Sequence, residues 1–298
     1  MHSILAALLW AWLMASSFIA SAYIKPYASP LATTGLRFML ALLVMSPIYF
    51  FTQRSTKSAL ITVLKSPILI LRYLLISGAL VGFFIGLFTA LKTTSSLNTS
   101  VMYTFVPLLG AVFMLAFGQR TSFRHWLGYM IGSTGAISVL VFTREGQLVW
   151  HIGDVIYFIA CGLLALHIIS LQHWGGHVAA FDGAYRIMLF GSVWLIPITL
   201  IWGDLSHVAW QASTFWLLLI YLTLFTTLLT FVLQQLVIRY EGASRLLAFS
   251  YTIPIWVAIY HATQSDAILL LSYGFMIGAF MVLLAILMID SHQTTVSE

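Results

Sequence analysis

The stretch YTFVPLLGA, Tyr103 to Ala111, sets a helix-breaking proline into a run otherwise suited to lipid. A looser copy, YTIPIWVA, occupies Tyr251 to Ala258, and its Pro254 follows Pro107 by 147 residues. Inside a helix, proline removes one hydrogen bond and displaces the carbonyl four residues back, here those of Tyr103 and Ser250. In a bilayer such a carbonyl is tolerated only against protein or in a water-filled cavity. The two segments are therefore expected to bend at Pro107 and Pro254 around one interior space.

The surroundings of these segments fix their environment. Hydrophobic residues make up 61% of the 298 and charged residues 7%, against about 25% charged in soluble domains. Runs of about 20 apolar residues between short polar breaks read as membrane spans. Ten fit, at about residues 3–23, 31–52, 67–91, 96–117, 126–142, 153–172, 183–203, 213–237, 243–264 and 267–289. The runs are continuous, not alternating, which selects helices over a barrel. The expected fold is an all-α integral membrane protein with no soluble domain left over. Residues 53–66 read as a polar linker and 291–298 as a polar cytoplasmic tail. The first span is longer than a signal-peptide core and lacks a basic leader, so it counts as a span. Lone Cys161 permits no internal disulfide and reads as a small buried residue.

Cytoplasmic loops of membrane proteins are enriched in lysine and arginine. With the N-terminus inside, Arg54, Lys57, Lys65, Arg120, Arg124, Arg239 and Arg245 fall on the cytoplasmic side, and Lys25, Lys92 and Arg144 outside. Both termini are therefore expected in the cytoplasm. The net charge of +5 is a topology signal; the cations form no basic stripe with stacking aromatics, so no nucleic-acid partner is expected.

The doubled proline segment has company. GYMIG at Gly128–Gly132 recurs as GFMIG at Gly274–Gly278, offset 146, and RFML at Arg37–Leu40 recurs as RIML at Arg186–Leu189, offset 149. A shared order and a near-constant offset point to internal duplication, with halves at 1–145 and 146–290. Each half holds five spans. Because five is odd, the second half starts on the opposite side of the bilayer, and the repeats are inverted. Inverted repeats that rock around a midplane site are the recurrent architecture of secondary transporters.

These residues carry a resemblance. Two five-helix halves, the GLRFMLA segment at Gly35–Ala41, and a fourth span whose proline segment is followed by GQR at Gly118–Arg120 and a glycine-bearing fifth span resemble the drug/metabolite transporter superfamily, EamA-type members above all. The resemblance covers essentially the whole chain. It implies a bacterial inner-membrane protein that moves small metabolites or toxic compounds, usually outward, through a central cavity lined by spans three, four, eight and nine among others. One position departs from it: family members commonly carry an acid where Gln119 precedes Arg120.

Candidate site residues are those placed inside the bilayer, where polar groups are costly. All eight acids, Glu145, Asp154, Asp182, Asp204, Glu241, Asp266, Asp290 and Glu298, sit in loops or within about a turn of a span end. No carboxylate pair or metal cluster can assemble at depth, so no catalytic residue, metal or cofactor is expected. Tyr103, His167, Gln234 and Ser250 are the candidate polar contacts for a solute, and Trp10 and Trp256 candidate aromatic walls. His167 could couple transport to protons or simply bond between helices. Arg37 and Arg186 are possible anion contacts, or snorkel toward headgroups. Arg245 pairs with Glu241 at helical spacing. Trp126, Trp150, Trp174 and Trp210 read as interfacial belt.

The chain is thus expected to be a secondary transporter, with a small organic solute and membrane lipids as partners, as monomer or homodimer. No phosphate-binding GxxxxGKS loop occurs, so gradients would drive it. A non-transporting structural or sensor protein leaves the duplication unexplained, and a lipid-modifying enzyme lacks a reactive constellation.

Overall fold

The computed structural model describes residues 2–52, 54–94, 96–143, 150–264 and 272–290. The halfway boundary at 145–146, Arg144, Glu145, Asp266, Glu298 and the tail 291–298 lie outside the described residues, as do the side chains of Arg54, Lys57, His261 and Asp290. The described residues form helices and turns with no strand: α1 (His2–Ile24), α2 (Pro30–Thr52), α3 (Arg54–Lys65), α4 (Pro67–Ala90), α5 (Ser96–Tyr103), α6 (Val106–Ala116), α7 (Phe123–Thr143), α8 (Ile152–Gly175), α9 (Ala180–Trp202), α10 (Ser213–Thr223), α11 (Thr230–Ser250), α12 (Ile253–Gln264) and α13 (Tyr273–Asp290). Seven helical stretches are long and apolar enough to cross a membrane: those of α1, α2, α4, α5–α6, α8 and α9, and Ser213–Ser250. The last is 38 residues long and combines two expected spans. A π-helical turn, Leu224–Leu229, joins α10 to α11, and Gly242 (φ 82°, ψ 168°) breaks α11 itself.

Two expectations change. Residues 53–66 were expected as a linker, yet 54–65 form α3. Its Leu60 and Val63, one turn apart, are buried in the core while Ile61 and Leu64 stay exposed, so one apolar stripe fastens the helix down. Second, each proline segment interrupts its helix for two residues, with Phe105 and Tyr251 keeping right-handed helical backbone. α5 ends at Tyr103 and α6 starts at Val106; α11 ends at Ser250 and α12 starts at Ile253. Pro107 and Pro254 then occupy first turns, where a missing N–H leaves no helical bond unmade. Prolines inside a helix do occur, at Pro47 of α2 and Pro197 of α9.

Helix pairing follows a pattern. α2 packs on α9 and α7 on α13; α4 packs on α8 as α1 packs on α10 and α11; α6 packs on α8 as α1 packs on α12. The α7–α13 crossing is made on glycine. A Cβ added at Gly135 would stand 2.8 Å from the Gly278 carbonyl oxygen, and one at Gly278 would stand 2.7 Å from that of Gly135. The backbones therefore touch, as small residues allow in membrane helix pairs.

Between α9 and α10, Asp204 adopts the left-handed conformation (φ 54°), and its Oδ1 lies 2.5 Å from His207 Nδ1 in an exposed turn. That hydrogen bond raises His207 above the usual imidazole value and lowers Asp204 below the usual carboxylate value. The raised His207 contributes fully below its unfolded value and loses its contribution as pH rises through the folded one. The depressed Asp204 contributes fully above its unfolded value and loses it as pH falls through the folded one, so the pair operates between the carboxylate and imidazole ranges. An NMR titration is expected to return His207 to the ordinary value in Asp204→Asn; an unmoved titration would count against the pair. At the helix crossing, Gly135→Ala is expected to cost about 1–3 kcal/mol. Gly162→Ala, where an added Cβ meets nothing within 4 Å, should cost nothing, as read by unfolding in detergent.

Candidate functional site

Each helix break leaves backbone groups that lipid cannot satisfy, so the side chains that meet them define the interior. At the first break Ser133 Oγ of α7 donates to the Thr104 carbonyl (2.9 Å). The same oxygen lies 3.0 Å from the hydroxyl of Tyr251, the first residue of the second break. Tyr251 in turn donates to the Tyr129 carbonyl (2.8 Å). α7 thus contacts both proline segments, its Ser133 donating to the first and its Tyr129 carbonyl accepting from the second. Gly132 makes room for the second, because an added Cβ there would stand 2.4 Å from the Tyr251 ring. At the Gly242 break, Gln172 Oε1 accepts from the Ala243 N–H (2.5 Å), while Gln172 Nε2 donates to Gln119 Oε1 (3.1 Å). Gln119 is therefore the acceptor in a contact between helix ends.

The candidate residues separate into committed and uncommitted groups. His167 is fully buried and bridges three helices: its Nδ1 lies 2.8 Å from the Ile76 carbonyl and its Nε2 lies 3.2 Å from Gln234 Nε2. A carbonyl can only accept, so Nδ1 carries the proton and Nε2 accepts from the Gln234 amide. Ser250 donates to the Leu247 carbonyl of its own helix (2.6 Å). Arg245 pairs with Glu241 at 2.5 Å.

Uncommitted groups lie elsewhere in the core. Among the described residues, the buried indole N–H groups of Trp10 and Trp256 have no hydrogen-bond partner, and neither do the two amide atoms of Gln235. Tyr103 is buried against Phe18 of α1, ring centroids 5.7 Å apart, and its hydroxyl makes no hydrogen bond among the described residues. Trp12, by contrast, is exposed on the outer surface of the bundle. The structure thus leaves polar atoms of Trp10, Tyr103 and Trp256 without a hydrogen bond among the described residues, ties Gln234 to His167, and puts the neighbouring Gln235 with the former group.

The two arginines diverge. Arg186 of α9 is buried in a network: it pairs with Asp182 one turn earlier (2.5 Å), donates to the Tyr73 hydroxyl (3.0 Å) and lies over the Tyr73 ring at 5.4 Å. Tyr49 of α2 donates to the same carboxylate (2.7 Å) and stacks on Tyr185, centroids 4.1 Å apart. α2, α4 and α9 are thereby tied at one end. Arg37 of α2 instead reaches Thr227 Oγ1 (3.0 Å) and Thr226 Oγ1 (3.0 Å) on the π-helical turn. Sequence reading passed over the threonines of YLTLFTTLLT, 221–230; four hydroxyls within eight residues of an apolar run were the signal. Asp154 is a helix-end device: Thr94, Asn98 Nδ2 (2.8 Å) and the His151 N–H (2.8 Å) all donate to it, capping α8 and holding α5. Among the described residues no group of three or more histidines, cysteines and acids could hold a metal ion.

Removing one partner of a buried ion pair strands the other charge. Asp182→Asn is therefore expected to lower unfolding stability by about 3–5 kcal/mol; a loss below about 1 kcal/mol, the level of a surface pair, would show that the network carries no such weight.

Comparisons with known proteins agree with this architecture. Residues 1–141 match the model of the EamA-like transporter family. Among 29 matching chains of solved structures, one described only as a crystal structure of a protein is similar over 96% of this chain and 96% of its own, with a TM-score of 0.76 and 17% identity. That identity speaks for the fold alone. A search of curated protein sequences matches none. Residues 1–141 are thus similar to the EamA-like transporter family, and the matched segment together with seven helical stretches long and apolar enough to cross a bilayer makes the chain an integral membrane protein.

Proposed function

We propose that the protein is a secondary transporter that moves a small organic solute by alternating access between two inverted five-helix repeats. In this reading the ten spans are α1, α2, α4, α5–α6, α7, α8, α9, α10 to the Gly242 break, the remainder of α11 with α12, and α13. The reading is supported by the pairing of helices. If α1 corresponds to α8, α2 to α9, α4 to the α10 span, α6 to α12 and α7 to α13, every packing pair named above exchanges into another such pair or into itself. Related breaks in the fourth and ninth spans, both contacted by α7, are the single observation that carries the proposal. Such breaks belong where backbone lines a cavity.

The excess of lysine and arginine argues for cytoplasmic termini, and the EamA resemblance for a bacterial inner membrane and for export. The Tyr49–Tyr73–Asp182–Arg186 network then lies at the cytoplasmic ends of its helices, and Arg37 toward the outer ends. The solute would sit among Trp10, Tyr103, Gln235 and Trp256, with lipids outside. No enzymatic role is assigned.

Two measurements test this. In reconstituted vesicles, a panel of amino acids, phosphate esters and drug-like cations is expected to yield at least one saturable flux. Trp10→Ala and Trp256→Ala should each raise its KM by up to about tenfold, as expected for loss of an aromatic contact worth about 0.5–1.5 kcal/mol; absence of flux for every class would sink the proposal. Cysteines placed at 120–124 and 239–245 are expected to react with an impermeant reagent from the same side. Labelling from opposite sides would remove the inverted repeat.

A further inference from the structure

The proposed duplication gives each half an arginine at the same place, yet only one has a counter-ion. Arg186 faces Asp182 one turn earlier. The corresponding neighbour of Arg37 is Thr33, whose hydroxyl donates to the carbonyl of Ser29, the residue just before α2. No described carboxylate lies within ion-pair distance of Arg37. Its acceptors are neutral: Nε donates to Thr227 Oγ1, and Nη2 to Thr226 Oγ1 (both 3.0 Å) and to the Thr226 carbonyl (3.3 Å). Its Nη1 makes no hydrogen bond among the described residues.

The π-helical turn is built for this contact. Both threonine hydroxyls donate to the Leu222 carbonyl, Thr226 at 2.9 Å and Thr227 at 2.9 Å. Their protons are thereby spent, and their lone pairs turn toward the guanidinium. A regular helix would set neighbouring residues about 100° apart; the wider turn brings two successive hydroxyls to one carbonyl and one cation. π-Helical turns of this kind concentrate at functional sites. The threonines fix the plane of the guanidinium but cannot neutralise it, and an unpaired cation among membrane helices is costly. A site that orients an arginine and leaves one amino group free fits a planar or tetrahedral oxyanion.

We infer that Arg37, held in place by Thr226 and Thr227, receives an anionic group, carboxylate or phosphate, and that the transported solute carries it. This deepens the transporter reading and rests on it. Arg186, already neutralised, takes no part in solute binding.

The test uses the purified full chain in an uncharged detergent, read by tryptophan fluorescence and thermal unfolding. Benzoate and phenyl phosphate are compared with uncharged benzyl alcohol, and lysophosphatidylglycerol with lysophosphatidylcholine. The anions are expected to bind about ten- to a hundredfold more tightly than the alcohol, the range for a hydrogen bond to a charged group. Arg37→Gln should abolish that preference, and Arg37→Lys should keep part of it. A preference confined to the anionic lysolipid and lost in Arg37→Gln would keep the anion site but assign it to a lipid headgroup, overturning the solute claim. No anion preference, whether all probes bind alike or none binds, overturns the inference; this comparison needs only the unmodified protein, so a poorly folding variant cannot obscure it. Arg37-dependent anion binding with no vesicle flux would instead count against the transporter reading, and flux indifferent to solute charge against the anion.

Discussion

In a bilayer interior every backbone donor and acceptor must find its partner within the protein, because no water is at hand. This chain departs from regular helix at Thr104–Phe105, at Leu224–Leu229, at Gly242 and at Tyr251–Thr252. Side chains from other helices meet several of the resulting backbone groups: Ser133 serves Thr104 and Gln172 serves Ala243. Polar residues therefore act here as staples between helices, and their positions follow from where the backbone is broken. The interior polarity that a solute could meet is what remains after those staples are counted.

Much of the fold was legible because composition and hydropathy act over whole segments. An all-helical membrane protein follows from continuous apolar runs, and the places of the helix breaks follow from Pro107 and Pro254. The form of the breaks did not, since a proline reads the same in a kink and in a first turn; only the neighbouring helix ends decide. α3 escaped because its burial rests on few apolar positions, Leu60 and Val63 among them, in a segment rich in polar residues. At the site, Trp10, Tyr103 and Trp256 stood out by chemistry and depth. His167 and Gln234 stood out for the same reason, but each satisfies the other, a pairing that depends on the rotation of two helices about their axes. Gln235 and the threonines of the π-helical turn were overshadowed by neighbours that looked more chemical.

Two arginines in similar motifs have different surroundings. Arg186 has a set of partners on α2, α4 and α9 and forms a structural knot. Arg37 has neutral partners and a donor with no hydrogen bond among the described residues. A carboxylate at 182 and a threonine at 33 make the difference, a single-residue divergence that converts a brace into a receptor under the reading proposed here.

The glycine crossing of α7 and α13 limits how the molecule can move. Where two backbones already rest against each other, with Met281 and Val139 crowding the contact, the helices cannot be pressed closer. Displacement at that point is confined to swivelling or gliding along the line of touch. Under the alternating-access reading proposed above, the crossing is the bearing on which the two halves would turn.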